Sequence, residues 1–180
     1  MKERYMKENT IVMSHSVGSD PQPPNLGGLG ERGLGERGLG ERGARYIFET
    51  RMEVRDYECD IEGIVNNARY IHYCEHTRHL FLKACGLSFA EMHEKGVDAV
   101  VARMNLQYKV PLRPDDEFIS RLNLTKEGIK YVFHQDIFRA ADEKLCFRGK
   151  IELVCLINGK LGNSEDYDQA FERYIQAHNI

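Results

Sequence analysis

From about residue 45 onwards, the order of apolar and polar residues predicts regular elements. Between Ala44 and Tyr57 the even positions Tyr46, Phe48, Thr50, Met52 and Val54 oppose odd positions that are mostly charged. A period of two predicts a half-buried strand. From Ala68 to about Cys85 the period lengthens. Ile71, Cys74, Arg78, Phe81, Leu82 and Cys85 recur at three- and four-residue steps, predicting a long helix that Gly86 closes. A shorter helix is expected from Ser88 to about Lys95, ending at Gly96 in the same way.

Strands dominate the remainder. Val100, Ala102, Met104, Leu106, Tyr108 and Val110 alternate with Val101, Arg103, Asn105, Gln107 and Lys109 until Pro111 and Pro114. Phe118, Leu122 and Leu124 mark the next strand, Lys126-Glu127-Gly128 turns it, and Tyr131, Phe133 and Ile137 mark its partner. Leu145, Phe147, Ile151, Leu153, Cys155 and Ile157 predict a long fifth strand, which Asn158-Gly159 ends with a hairpin-type signal. Ser164 is the expected cap of a last helix carrying Ala170, Phe171, Tyr174 and Ile175 on one face. Short turns between successive strands favour antiparallel pairing. One long helix on one antiparallel sheet is an α+β architecture.

Composition splits the 180-residue chain near residue 44. The first 44 residues hold nine of the sixteen glycines, and LGERG occurs there three times in tandem at 29–33, 34–38 and 39–43. A five-residue period suits neither helix nor strand. Residues 1–44 are therefore expected to be a flexible leader, and 45–180 a single folded domain.

A formal net charge of -3 argues against a nucleic-acid binder that works through a general basic surface. No apolar run approaches the roughly 18 residues of a membrane span. The start of the chain, MKERYMKENTIVMSHS, lacks the apolar stretch of a secretory signal. Five cysteines with no CxxC pair indicate neither a disulfide framework nor a thiolate zinc site. A cytoplasmic protein is expected, with no nucleic-acid or membrane partner.

Several chemical leads weaken on inspection. His72, His76 and His79 could share a helix face, but HExxH order is lacking and only Glu75 offers a further ligand, so they are expected at the surface or core edge. No GxSxG elbow is present. The LGERG repeats lack the strand and helix that must flank a phosphate loop. No cysteine has a visible activating partner in sequence, which favours small buried thiols.

The segment joining the first strand to the long helix is richer. Asp56, Glu58, Asp60 and Glu62 precede Gly63, Asn66 and Asn67, and the helix starts there. Two readings fit these residues. One is an acidic connection ending in an ordinary asparagine cap. The other uses the free N–H groups and partial positive charge of the helix start to hold an oxyanion beside an acidic side chain.

This stretch, DYECDIEGIVNNARYIHYCEHTRHLFL, resembles the hotdog-fold thioesterases of the 4-hydroxybenzoyl-CoA thioesterase family. That family's pattern runs D-x-D-x-x-G-(I/V)-V-x-x-x-x-Y, then an acidic residue and an arginine on the same helix. Asp60, Gly63, Ile64, Val65, Tyr70, Glu75 and Arg78 match it, and the element order agrees over about residues 45–157. The resemblance implies an α+β hotdog fold, a long central helix wrapped by a curved antiparallel sheet, assembled as a homodimer or homotetramer. It also implies hydrolysis of acyl thioesters, acyl-CoA first, without a metal or redox cofactor. Asp60 would be the catalytic carboxylate, and backbone N–H groups near Asn67, Ala68, Arg69 and Tyr70 would polarise the carbonyl. Glu75 is a second candidate carboxylate, its alternative being an i, i+3 pair with Arg78. Arg103, Lys109, Arg113, Lys126 and Lys130 could meet CoA phosphates, but solvated strand faces account for most of them.

The sequence also departs from the pattern. Glu58 stands where many relatives have the first aspartate, and Glu58→Gln is expected to retain most activity. The V-N-N-x-x-Y feature resembles acyl-ACP thioesterases, whose loop asparagine and histidine correspond here to Glu62 and Ile64, so only Asp60 carries over from that set. An acyl-ACP thioesterase and a non-catalytic acyl-thioester-binding module are the alternatives. A hotdog dehydratase would need a histidine where Val65 stands.

Overall fold

The computed structural model describes residues 46–178, so the expected LGERG leader lies outside the described residues. The first strand, β1 (Phe48–Glu53), alternates half-buried and exposed side chains as the two-residue period requires. It is shorter than expected, because after Val54 and Arg55 the chain tightens into a 3-10 turn, Asp56–Glu58.

Helix α1 (Asn67–Ala84) begins at Asn66, whose side chain caps the Ala68 N–H, and stops before Gly86. Helix α2 (Phe89–Glu94) is capped by Ser88. Four long strands follow: β2 (Val97–Tyr108), β3 (Glu117–Glu127), β4 (Lys130–Arg139) and β5 (Leu145–Ile157). A short β6 (Lys160–Gly162) pairs with the end of β5, and α3 (Glu165–Ala177) starts at Ser164 as expected. β6 was not expected, but its signal was present. Asn158 and Gly159 both take positive φ, which a tight two-residue hairpin turn demands and glycine adopts without strain.

All pairings are antiparallel, and the order β1-β3-β4-β5-β2 leaves β1 and β2 at the edges. The sheet wraps α1, which lies over β3 and β1. This is the expected α+β hotdog architecture. One strand reads differently from its sequence. The alternation predicted for β2 treats all even positions alike, yet the pairing with β5 slips between Val101 and Arg103. A bulge inserts one unpaired residue and reverses which parity faces inward. Ala99 therefore packs on the core before the bulge, and Leu106 after it.

Two apolar clusters fill the space between helix and sheet. One gathers around Phe81, which is fully buried and meets Phe48, Phe133, Phe171 and Tyr174 at ring-centroid distances of 5.2–6.3 Å. The other joins Tyr70, Tyr73 and Cys74 of α1 to Phe118, Ile137 and Phe147. A buried polar belt accompanies them. Thr77 donates to Ser120 Oγ at 2.7 Å, and Arg78 donates to Gln135 Oε1 at 2.8 Å. Gln135 in turn donates to the Cys74 carbonyl at 3.0 Å. Buried polar atoms need such partners, and among the described residues no buried side-chain nitrogen or oxygen lacks one. Among the described residues no helix is long and apolar enough to cross a membrane.

Candidate active site

The acidic connection is held at both ends by one residue. Glu58 is buried, and its Oε2 accepts hydrogen bonds from the Arg55 N–H at 2.9 Å and the Tyr73 hydroxyl at 2.8 Å. Its backbone carbonyl accepts from the Asn66 N–H at 3.0 Å, just before α1. Burial and the bond to Glu58 push the Tyr73 phenol far above its ordinary range. Glu58 is thus a structural tie. Its position matched the helix-facing tyrosine, which sequence spacing alone did not reveal.

Inside that tie the chain folds back on itself. The Asp60 N–H donates to the Ile64 carbonyl at 2.9 Å, and the Gly63 N–H returns to the Asp60 carbonyl at 3.0 Å. Gly63 has φ +68°, a left-handed conformation that a side chain would strain. The Val65 N–H donates to the Leu112 carbonyl, and the Leu112 N–H donates to the Tyr70 hydroxyl at 3.0 Å. Loop, helix start and the segment after β2 are pinned together by these bonds.

They border a half-open cavity of about 330 Å³ lined by Asp60, Ile64, Val65, Asn67, Tyr70 and, on the opposite wall, residues 108–111 with Cys146. Asp60 is half-buried there. Its Oδ1 accepts the Glu62 N–H at 3.2 Å, and its Oδ2 has no partner among the described residues. At the helix start the amides are not equivalent. The Ala68 N–H is taken by the side chains of Asn66 and Asn67, each at 3.0 Å, and the Arg69 N–H bonds to the Asn66 carbonyl. The Asn67 N–H, in the first helical position, has no acceptor among the described residues. Asn67 and Tyr70 line the cavity, whereas Ala68 and Arg69 do not. A carboxylate oxygen and an open amide thus border one cavity.

The remaining candidates fall elsewhere. Glu75 is exposed about 12 Å further along the helix axis. It lies 4.0 Å from His79 instead of pairing with Arg78, which turns inward to Gln135. His72, His76 and His79 are exposed, as expected, and among the described residues no three metal-ligating side chains cluster. Lys126 pairs with Asp168 and Lys130 with Glu152, while Lys109 lines the cavity. Burial pushes the Cys59 and Cys146 thiols up, so neither is poised as a thiolate.

A family model described as Thioesterase-like superfamily matches residues 54–172, a span that holds the loop, the helix and the opposite wall. The chain belongs to the thioesterase-like superfamily. It is 32% identical over 111 residues to the Arabidopsis thaliana acyl-acyl carrier protein thioesterase ATL3, chloroplastic. That match covers 61% of this chain and 58% of ATL3, so the chain spans less than two thirds of that relative's length. It is also 30% identical over 112 residues to the Bacillus subtilis protein named "Putative acyl-CoA thioesterase YneP", covering 62% of this chain and 80% of that one. The fold is shared with the solved structure of Slr0204, a 1,4-dihydroxy-2-naphthoyl-CoA thioesterase from Synechocystis. The TM-score is 0.67 at 17% identity, over 74% of this chain and 98% of that one.

Sequence reasoning named Lys109 of the opposite wall only among the CoA-phosphate candidates and did not single out Tyr108. Tyr108 and Lys109 sit at the end of an alternating strand, where they look like ordinary edge residues. Only the tertiary approach of β2 to the start of α1 gives them a place at the site.

Proposed function

We propose that this superfamily member hydrolyses acyl thioesters, with Asp60 as the catalytic carboxylate. The observation that carries this reading is the shared cavity of the Asp60 carboxylate and the open Asn67 N–H. With the thioester carbonyl between them, attack on its carbon pushes the C=O electrons onto oxygen, where the Asn67 amide and the helix dipole stabilise the charge. Collapse of the tetrahedral species breaks the carbon–sulfur bond and releases the thiol. The carboxylate serves either as base to the attacking water, whose proton then goes to the leaving thiolate, or as the attacking group itself, forming an acyl–Asp60 anhydride that water opens. In a single turnover in ¹⁸O-water, label in the Asp60 carboxyl group decides for direct attack, whereas trapping of an acyl-enzyme by hydroxylamine reports the anhydride when water opens it at the acyl carbon.

The substrate we propose is acyl-CoA, supported by the likeness to YneP. An acyl-ACP substrate is the second reading, favoured by the likeness to ATL3 and by the V-N-N-x-x-Y residues Val65, Asn66, Asn67 and Tyr70. A thiol-release assay across short, medium, long and aryl acyl-CoA, with acyl-ACP alongside, tests both. Turnover of acyl-ACP alone would decide for the second, and binding of these thioesters without thiol release would reduce the protein to a non-catalytic module.

We further propose that the working form is a homodimer or homotetramer. Strand β2 is a long free edge that exposes Val101, Met104 and Tyr108 by 44%, 36% and 47%. Unpaired backbone beside apolar side chains is a surface that a second copy covers well. Light scattering at micromolar concentration is expected to give at least twice the monomer mass, and a fully active monomer would overturn this.

For residues 1–44 we retain the reading of a flexible leader. Deleting residues 1–43 is expected to leave melting temperature and turnover nearly unchanged, because the repeats have no periodic apolar face to bury. A tenfold loss of turnover would mean that the leader belongs to the site.

A further inference from the structure

We infer that Tyr108 sets the size of acyl group this site accepts, an inference that rests on the thioesterase reading above. Tyr108 is the last residue of β2, and its ring reaches back across the cavity wall. It meets the Tyr70 ring edge-on at 5.6 Å and the Phe147 ring at 5.3 Å. Its hydroxyl donates to the Asn67 carbonyl at 3.2 Å. Three contacts from two sides fix the ring, so this wall is held in place although it stands on an edge strand. Phe147 is fully buried and stacks on Tyr70 at 5.3 Å with an interplanar angle of 15°. Tyr70 and Tyr108 thus line the cavity as one held aromatic wall that packs on Phe147.

This half-open 330 Å³ is near the lower end of the about 300–1,000 Å³ of ligand sites, so one bulky wall residue takes up a large share of it. The other lining side chains from Ile64, Val65, Val110 and Pro111 are aliphatic, which suits an uncharged acyl group. Removing the Tyr108 ring would open the space above Phe147 and lengthen the cavity.

The test is a chain-length profile of kcat/KM with acyl-CoA substrates from four to sixteen carbons, using the full-length protein. The parent is expected to favour short and medium acyl groups over sixteen-carbon ones. Tyr108→Ala is expected to raise the ratio of sixteen-carbon to eight-carbon turnover by tenfold or more. Tyr108→Phe keeps the ring and should keep the parent profile. Because β2 is also the proposed pairing edge, Tyr108→Leu is measured beside it, with light scattering of each variant. Leucine keeps apolar bulk at the edge while removing the flat ring, and it should shift the profile in the same direction. An active parent whose profile stays unmoved in both Ala and Leu variants overturns the role of Tyr108 and leaves the hydrolase reading intact. A parent that releases no thiol from any acyl-CoA or acyl-ACP overturns the hydrolase reading, and the specificity role falls with it.

Discussion

Asp60→Asn is expected to lose a hundredfold or more of thioester turnover while melting within a few degrees of the parent. The substitution keeps size and one oxygen acceptor, so the Glu62 N–H that Asp60 Oδ1 accepts at 3.2 Å can still be satisfied. It removes the charge and basicity of the oxygen left without a partner beside the cavity. Positioned general bases contribute roughly 10²–10⁴ in rate, and a lost nucleophile costs at least as much. The open Asn67 amide remains, so a residue of catalysis should persist. Glu62→Gln is the appropriate control, because Glu62 is exposed and lies two residues from Asp60 with the same formal change. The measurement is kcat/KM by thiol release, with thermal melting alongside. An active Asp60→Asn together with a dead Glu75→Gln would move the catalytic carboxylate onto α1.

Glu58→Ala is expected to be the most damaging single change to the stability of the connection. Truncation leaves the Tyr73 hydroxyl and the Arg55 N–H without the acceptor each uses at 2.8 and 2.9 Å. An unsatisfied buried group costs about 1–3 kcal/mol, so two give about 2–4 kcal/mol after partial access of water. For a domain of this size that corresponds to a fall in Tm of about 6–15 °C. Glu58→Gln keeps an acceptor for both donors and should fall by less than half as much, with turnover within a few-fold of the parent. Calorimetry of the two variants checks the ordering. A Glu58→Ala protein that melts within 2 °C of the parent would show that the tie is not used.

Most of the fold was legible because its elements carry clean periods. The helix from Ala68 was readable almost to the residue because it buries one face along its length, and the strand of Leu145 to Ile157 because its apolar run stops at the Asn158-Gly159 turn. β2 was half legible, because a bulge is set by pairing with β5 and leaves no trace in the alternation of β2 itself. Asp60 and Gly63 stood out by their neighbours: acids, a glycine and a cap before a helix. Glu58 did not. A glutamate among other acids looks solvated until Tyr73, fifteen residues on, is brought over it by one and a half helical turns. The Ala68 amide was equally opaque, since whether a cap consumes it depends on the rotamers of Asn66 and Asn67.

The belt formed by Thr77 with Ser120, and by Arg78 with Gln135 and the Cys74 carbonyl, does something that apolar packing cannot. Hydrophobic contact is non-directional, so two oily clusters alone would tolerate a helix displaced along its axis by one turn, about 5.4 Å. The belt forbids that displacement, because it would strand a buried guanidinium and a buried amide away from their acceptors, at a cost of several kcal/mol. It works as an index pin between a sliding rod and its sleeve. Arg78 lies about 16 Å down the axis from Asn67, yet it fixes how far the helix start protrudes beside Asp60. The spacing between carboxylate and amide is therefore governed from the middle of the core. A substitution such as Gln135→Leu should disturb catalysis from a position that no substrate touches.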